Sequence, residues 1–142
     1  MRKFLFSLIF VFTSLGFAGT GEAASVIAQV DLSAQTMNVY VNGKRKYSWP
    51  VSTARRGNVT PTGSYSVKRM HTMWYSRKYH NSPMPHSLFF KGGYAVHGTG
   101  AIKSLGRPAS HGCIRLHPSN AKALYSLAQK YGAGNTQIKI VR

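Results

Sequence analysis

From Val26 onward, apolar and polar residues alternate at a period of two in one short stretch after another, and one stretch alone repeats at the helical period. A chain patterned this way must bury the apolar faces of its strands against one another, so it reads as mainly β with one helix in its C-terminal half. Val26 to Asp31 and Thr36 to Val41 read as strands, and in the second Met37, Val39 and Val41 alternate with Asn38 and Tyr40. Asn42-Gly43 is the strongest short hairpin signal available, with Lys44 to Val51 as the returning strand. Pro50 confines the end of that strand to an edge or a bulge. Thr60-Pro61-Thr62-Gly63 predicts a tight turn into a strand from Ser64 to Met70. Ser87 to Phe90 and Tyr94 to His97 are short apolar strands around Gly92-Gly93, and Thr136 to Val141 closes the domain as a last strand. The helix runs from Ser119 to Tyr131, with Ala121, Leu124, Tyr125, Leu127, Ala128 and Tyr131 on one face and Gly132 as its stop. His71 to Pro85, rich in His, Tyr, Met and Pro, has no clean period; it reads as a long aromatic loop, a candidate lid.

The first residues do not read as part of this fold. Arg2 and Lys3 precede the apolar stretch Phe4 to Phe17, and a small-residue run, Ala18 to Ala24, follows. That is the three-part pattern of a secretory signal peptide, with cleavage expected after Ala23. The apolar stretch is shorter than the roughly 20 residues a spanning helix needs, so no transmembrane segment is expected to remain after cleavage. The expected organisation is a signal peptide over residues 1–23 and one domain over residues 24–142, with no repeat, linker or second domain.

Charge excludes several chemistries. The chain carries 19 Lys and Arg against two acidic residues, Glu22 and Asp31, and Glu22 would leave with the leader. A paired-carboxylate glycosidase and a carboxylate-rich calcium or magnesium site both lack their residues. A Ser-His-Asp triad would have to recruit Asp31 from a strand-like segment far from the His-rich motif. So many cations imply polyanionic surroundings, unless they serve only to keep the domain soluble. An exported chain meets such surroundings in the cell envelope, so no nucleic-acid partner is expected. A periplasmic or wall-associated location follows from the same leader.

Cys113 is the one cysteine, in a chain headed for an oxidising compartment, so it cannot close an intrachain disulfide. It lies near the end of the informative segment that runs from His97 to Arg115: His97-Gly98-Thr99, a spacer, then Ser110-His111-Gly112-Cys113-Ile114-Arg115. A thiol attacks well as the thiolate, and a nearby histidine can take its proton. His97 sits at a strand end, and the Gly- and Pro-containing loop after it is long enough to fold back on Cys113. Such an ion pair predicts a Cys113 that is unusually reactive near neutral pH. Gly112 and Cys113 offer consecutive N–H groups for an oxyanion, and Arg115 is able to pair bidentately with a carboxylate. With no carboxylate to orient the base, a backbone carbonyl or hydroxyl must do so, and Gly98 carbonyl is the best candidate. Two other readings stay open: a turn holding a buried structural Cys, and a zinc site from His97, His111, Cys113 and His117. His71, His80 and His86 are too irregularly spaced to be read as more than surface histidines.

These motifs resemble the L,D-transpeptidase catalytic domain, the YkuD family, in a short envelope form without a separate wall-binding domain. Thr60-Pro61-Thr62-Gly63 and Phe89-Phe90-Lys91-Gly92-Gly93-Tyr94 fall where that family has similar segments. The resemblance implies a β-sandwich-like fold with the cysteine under a lid. It implies that Cys113 attacks a peptidoglycan tetrapeptide stem, releases D-alanine and passes the acyl group from a thioester to an amine of another stem or of an envelope protein. His97 would be the base and His111 a supporting residue, with Gly112 and Cys113 lining the oxyanion hole. Ser110, Gly98, Arg115 and Tyr79 are carried over as the substrate side, with Trp74 a second candidate for covering the acyl group. No cofactor and no metal are expected. The rivals are a hydrolytic carboxypeptidase using the same Cys–His pair and a cationic envelope-binding protein whose Cys is incidental.

Overall fold

A computed structural model describes residues 24–142; the signal peptide expected over residues 1–23 lies outside the described residues. The chain opens with a meander of β1 (Val26–Asp31), β2 (Thr36–Val41) and β3 (Lys44–Pro50). Asn42 and Gly43, at φ 48° and 80°, form the turn between β2 and β3. Positive φ at both positions matches the right-handed twist of the flanking strands, which is why Asn-Gly suits them. Then come β4 (Gly63–Ser66), β5 (Arg69–Ser76), β6 (Ser82–Lys91), β7 (Tyr94–Gly98) and β8 (Ile114–Leu116). Helix α1 (Pro118–Tyr131) and strand β9 (Thr136–Val141) complete the domain. The strands make two sheets, one ordered β3-β2-β1-β9-β4 and the other β5-β6-β7-β8. The pairs β1–β9 and β7–β8 are parallel and the rest antiparallel.

Registry explains the core. In the first sheet Met37 faces Val30 and Val30 faces Ile140, while Val39, Ala28, Ile138 and Tyr65 form the neighbouring row. A one-residue slip would turn these rows outward, so burial fixes the register. The second sheet contributes Leu88, Phe90, Val96, Ile114 and Leu116 to the same core. Helix α1 lies against β6 and β7 and adds Ala121, Leu124, Tyr125, Leu127 and Ala128. Pro118 occupies its first turn, and the His117 ring nitrogen Nδ1 accepts from the Ser119 N–H at 3.2 Å as its cap. The mainly β, two-sheet fold with one helix is thus as the sequence reads.

Two elements differ from the sequence reading. The strand expected from Ser64 to Met70 breaks at Val67-Lys68, where the chain crosses from one sheet to the other: Val67 N–H donates to Thr136 O and Lys68 N–H to Phe89 O. The expected aromatic loop His71 to Pro85 is instead a long hairpin of β5 and β6 with a 3₁₀ turn, Arg77–Tyr79, at its tip. β6 holds Pro83 and Pro85, residues that lack the N–H a ladder uses. They fall in the half of β6 that pairs with β5 only, so the other edge is open and a missing N–H there costs no ladder bond. Periodicity is blurred because Met73, Trp74 and Tyr75 remain substantially exposed while Met84 and Phe89 are buried.

Leu124 is fully buried between the helix and both sheets. Truncation by Leu124→Ala is expected to cost about 2–5 kcal/mol, read as a lower urea midpoint with the far-UV spectrum of the native state unchanged.

Candidate active site

Alternation along two adjacent parallel strands builds the site. On β7 the side chain of Val96 enters the core, so Ala95 and His97 face the other side; on β8 Ile114 and Leu116 enter the core, so Arg115 and, one step before the strand, Cys113 face outward. His97 lies opposite Arg115 in the register. His97, Cys113 and Arg115 therefore open onto one cleft of about 780 Å³ between this sheet and the overhanging β5–β6 hairpin, lined also by Tyr79, Met84 and Tyr94.

His97 is only 7% exposed, and its Nδ1 lies 2.7 Å from the Gly98 carbonyl oxygen. A carbonyl accepts only, so Nδ1 carries the proton and Nε2 keeps its lone pair. Burial, opposed by the Gly98 bond and helped by Arg115, lowers the imidazole to about 4. Cys113 Sγ donates to the Gly93 carbonyl at 3.7 Å rather than to His97. Burial pushes its thiol above the ordinary range, against the backbone amide of Ala95 and the charge of Arg115. Both directions favour a neutral thiol beside a neutral imidazole. Burial thus works against a standing thiolate–imidazolium pair of the kind expected from the sequence, because neither charge is well solvated there.

The turn that carries Cys113 is held from several directions. Ser110 is fully buried; its Oγ donates to the Cys113 carbonyl at 2.6 Å and accepts from the Gly112 N–H at 3.0 Å. Thr60 Oγ1, also buried, donates to the Gly112 carbonyl at 2.8 Å and accepts from the Ala54 N–H at 3.0 Å. Residues 52–55 run beside the turn, through bridges Ser52–Arg115 and Ala54–Ser110. Behind them, the Gln35 side chain exchanges hydrogen bonds with the Thr53 hydroxyl at 2.6 Å and the Thr53 N–H at 3.0 Å. Gly112 has φ 140°, and a Cβ there would sit 2.7 Å from Tyr94 Cε1 and 2.8 Å from Val59 O. The position admits glycine alone.

His111 stands at the mouth of the cleft. Its ring stacks on Tyr79 at the hairpin tip, with centroids 4.2 Å apart and planes 8° apart, and its Nε2 accepts from Arg55 Nη2 at 2.9 Å. Partial burial, then Arg55, Arg115 and Lys78, all lower its pKa. Arg69, Arg77, Lys78 and Arg115 border the cleft. Asp31, the one acidic side chain among the described residues, is tied to Ser33 Oγ and Ala34 N–H at the β1–β2 turn.

Of the residues expected on the substrate side, Arg115, Tyr79 and Ser110 line the cleft and Gly98 does not. The Ser110 hydroxyl is fully buried and committed to the turn. Gly98 is buried with Pro118 Cα and Pro85 Cγ 3.1 Å from where its Cβ would be, and its carbonyl serves His97. Gly112 likewise has its N–H engaged by Ser110, so it does not offer the free donor expected of it. The zinc alternative loses its geometry: no three His, Cys, Asp or Glu side chains converge among the described residues, and the His117 ring caps α1. Sequence reasoning missed Thr60, Arg55 and Tyr94 as parts of the site, and also Arg69, whose guanidinium lies 3.7 Å from the Phe89 ring centroid and 4.9 Å from that of Trp74. None of them stands near Cys113 in the chain, and only folding brings them there. Gly112→Ala is expected to cost at least about 1–3 kcal/mol from backbone strain alone, with the clash against Tyr94 added, measured as a fall in thermal midpoint.

Comparison with known proteins bears on this geometry. The family model described as the YkuD L,D-transpeptidase catalytic domain matches residues 25–140. The putative L,D-transpeptidase YkuD of Bacillus subtilis (strain 168) is 26% identical over 102 residues, covering 69% of this chain and 57% of its own length. An L,D-transpeptidase structure from Mycobacterium smegmatis aligns with TM-score 0.75 at 23% identity, over 84% of this chain and 59% of that one, a likeness of fold. An L,D-transpeptidase (Yku) structure from Stackebrandtia nassauensis aligns with TM-score 0.73 at 27% identity, over 91% of this chain and 62% of that one. The chain thus spans somewhat under two thirds of the length of these relatives. With the family match running from the first strand to the last, the chain belongs to the YkuD family of L,D-transpeptidase catalytic domains.

Proposed function

We propose that this protein is a cysteine-dependent acyltransferase acting on peptidoglycan stem peptides, with Cys113 as nucleophile and His97 as base. The observation that carries the reading is the pairing of β7 with β8, which turns His97 and Cys113 into one cleft while the Gly98 carbonyl holds His97 Nδ1. That bond leaves Nε2 as the basic nitrogen, in an orientation set without any carboxylate.

In the forward half-reaction Cys113 Sγ bonds to the stem carbonyl carbon as its proton passes to His97 Nε2. Proton transfer to His97 accompanies attack by the sulfur. The tetrahedral intermediate collapses by breaking the carbon–nitrogen bond, and His97 returns the proton to the departing D-alanine amine. An acceptor amine then attacks the thioester, gives its proton to His97 and regenerates the thiol. The acceptor is the diaminopimelate amine of a neighbouring stem or an amine of an envelope protein. The cations bordering the cleft, with no acidic side chain among them, suit a substrate bearing several carboxylates. The hairpin that overhangs the cleft limits access of water to the thioester. The leader expected over residues 1–23 would deliver the domain to the envelope, where this substrate is found.

The decisive experiment incubates the protein with disaccharide-tetrapeptide and follows products by mass spectrometry. D-alanine and a cross-linked dimer are expected, and neither should form with Cys113→Ala. D-alanine with tripeptide alone would mean a hydrolase, and no Cys113-dependent change would leave a cationic binding protein. His97→Gln is expected to lower the acylation rate by about 10²–10⁴-fold.

A second expectation concerns pH. A raised thiol pKa means that less thiolate is present at neutral pH than for an ordinary cysteine. Alkylation of Cys113 by iodoacetamide should therefore be slower at pH 7 than that of an ordinary thiol and climb into the alkaline range, with little change in His97→Ala. A flat profile through neutrality would mean that the two groups share an ion pair after all.

A further inference from the structure

The oxyanion formed at the attacked carbonyl needs a donor, and the two amides nearest the sulfur are not equivalent. The Gly112 N–H is occupied by Ser110 Oγ at 3.0 Å. The Cys113 N–H belongs to the same peptide unit as the Gly112 carbonyl, and in a trans peptide the two bonds point in opposite directions. Among the described residues no peptide bond is cis. Whatever fixes the Gly112 carbonyl therefore fixes the direction of the Cys113 N–H.

We propose that Thr60 is a positioning residue for acyl transfer: its buried hydroxyl, by holding the Gly112 carbonyl, aims the Cys113 N–H at the place where the oxyanion forms. This inference rests on Cys113 being the nucleophile. Thr60 is only 4% exposed, and its Oγ1 is itself anchored by the Ala54 N–H at 3.0 Å, so the 2.8 Å bond to the Gly112 carbonyl has one direction available to it. Ala54 in turn is bridged to Ser110, which closes a ring of contacts around the turn. The conformation held is open to glycine alone, since Gly112 has φ 140° and a Cβ there would meet Tyr94 and Val59. The Gly112 carbonyl points toward buried Thr60, so the Cys113 N–H points away from Thr60, and Cys113 itself lines the cleft.

Two reagents separate this role from a merely structural one. With p-nitrophenyl acetate, Cys113 Sγ bonds to the carbonyl carbon, the thiol proton goes to His97 Nε2, the carbonyl oxygen takes negative charge, and collapse expels p-nitrophenolate. With iodoacetamide, Sγ displaces iodide at a saturated carbon and no oxyanion arises. Thr60→Val removes the hydroxyl at nearly constant shape, and Thr60→Ser restores it. The expected result is that Thr60→Val acylates about 10–100-fold more slowly, somewhat less than the loss from deleting an oxyanion donor outright, while its iodoacetamide rate stays at the wild-type value and Thr60→Ser keeps both rates. Should the valine variant not fold, Thr60→Ala is measured in its place, with the ratio of the two rates as the readout. An equal fall in both rates would overturn the proposal, since the hydroxyl would then serve only to hold the fold. An unchanged acylation rate would overturn it as well. Wild-type protein that is alkylated but never acylated at Cys113 would overturn the nucleophile reading together with it.

Discussion

The parallel pairing of β7 with β8 is the constraint on which the site depends. It joins two segments separated by a loop rich in glycine and polar residues, and it does so in a register that sets His97 opposite Arg115. Strand alternation then does the sorting. Val96, Ile114 and Leu116 anchor the pair in the core shared with α1, and the residues between them have no choice but the opposite face. The chemistry is thus positioned by apolar burial on the reverse side of the same sheet. This rigid base suits a reaction that needs its groups held to fractions of an ångström.

The scarcity of acid shapes how this site is oriented. Where a carboxylate is usual, a histidine is here held by a main-chain carbonyl, which accepts a hydrogen bond without supplying charge. The imidazole is therefore oriented but not electrostatically strengthened, and burial with Arg115 nearby lowers its pKa. The thiol is subject to the same burial. Arg55 and Arg115, with Lys78, extend the positive field to His111.

The β5–β6 hairpin is the other half of the cleft. Its base is set by the Arg69 guanidinium lying over Phe89 and Trp74, and its tip by the stack of Tyr79 on His111. Between those points its outer residues stay exposed. A covering element held at its two ends leaves the cleft open from the side.

Much of the first sheet was legible in the chain, because Met37, Val39 and the Asn42-Gly43 turn carry period-two burial and turn chemistry locally, as do the α1 stripe and its Gly132 stop. The residues of the candidate site were legible too, since Cys113, His97 and His111 are rare types in a short motif. The hairpin was not, because Pro83 and Pro85 speak against a strand unless one knows that the edge beside them is open. Nor were the bonds of Thr60 and Ser110, which depend on pairings across the fold. By itself the sequence determined which elements could form and which side chains could do chemistry, through local periodicity and composition. Only the tertiary structure decided which groups meet, which hydroxyls are spent on scaffolding and which way each proton and lone pair points, because contacts between segments distant in the chain are set by packing and not by neighbours in sequence.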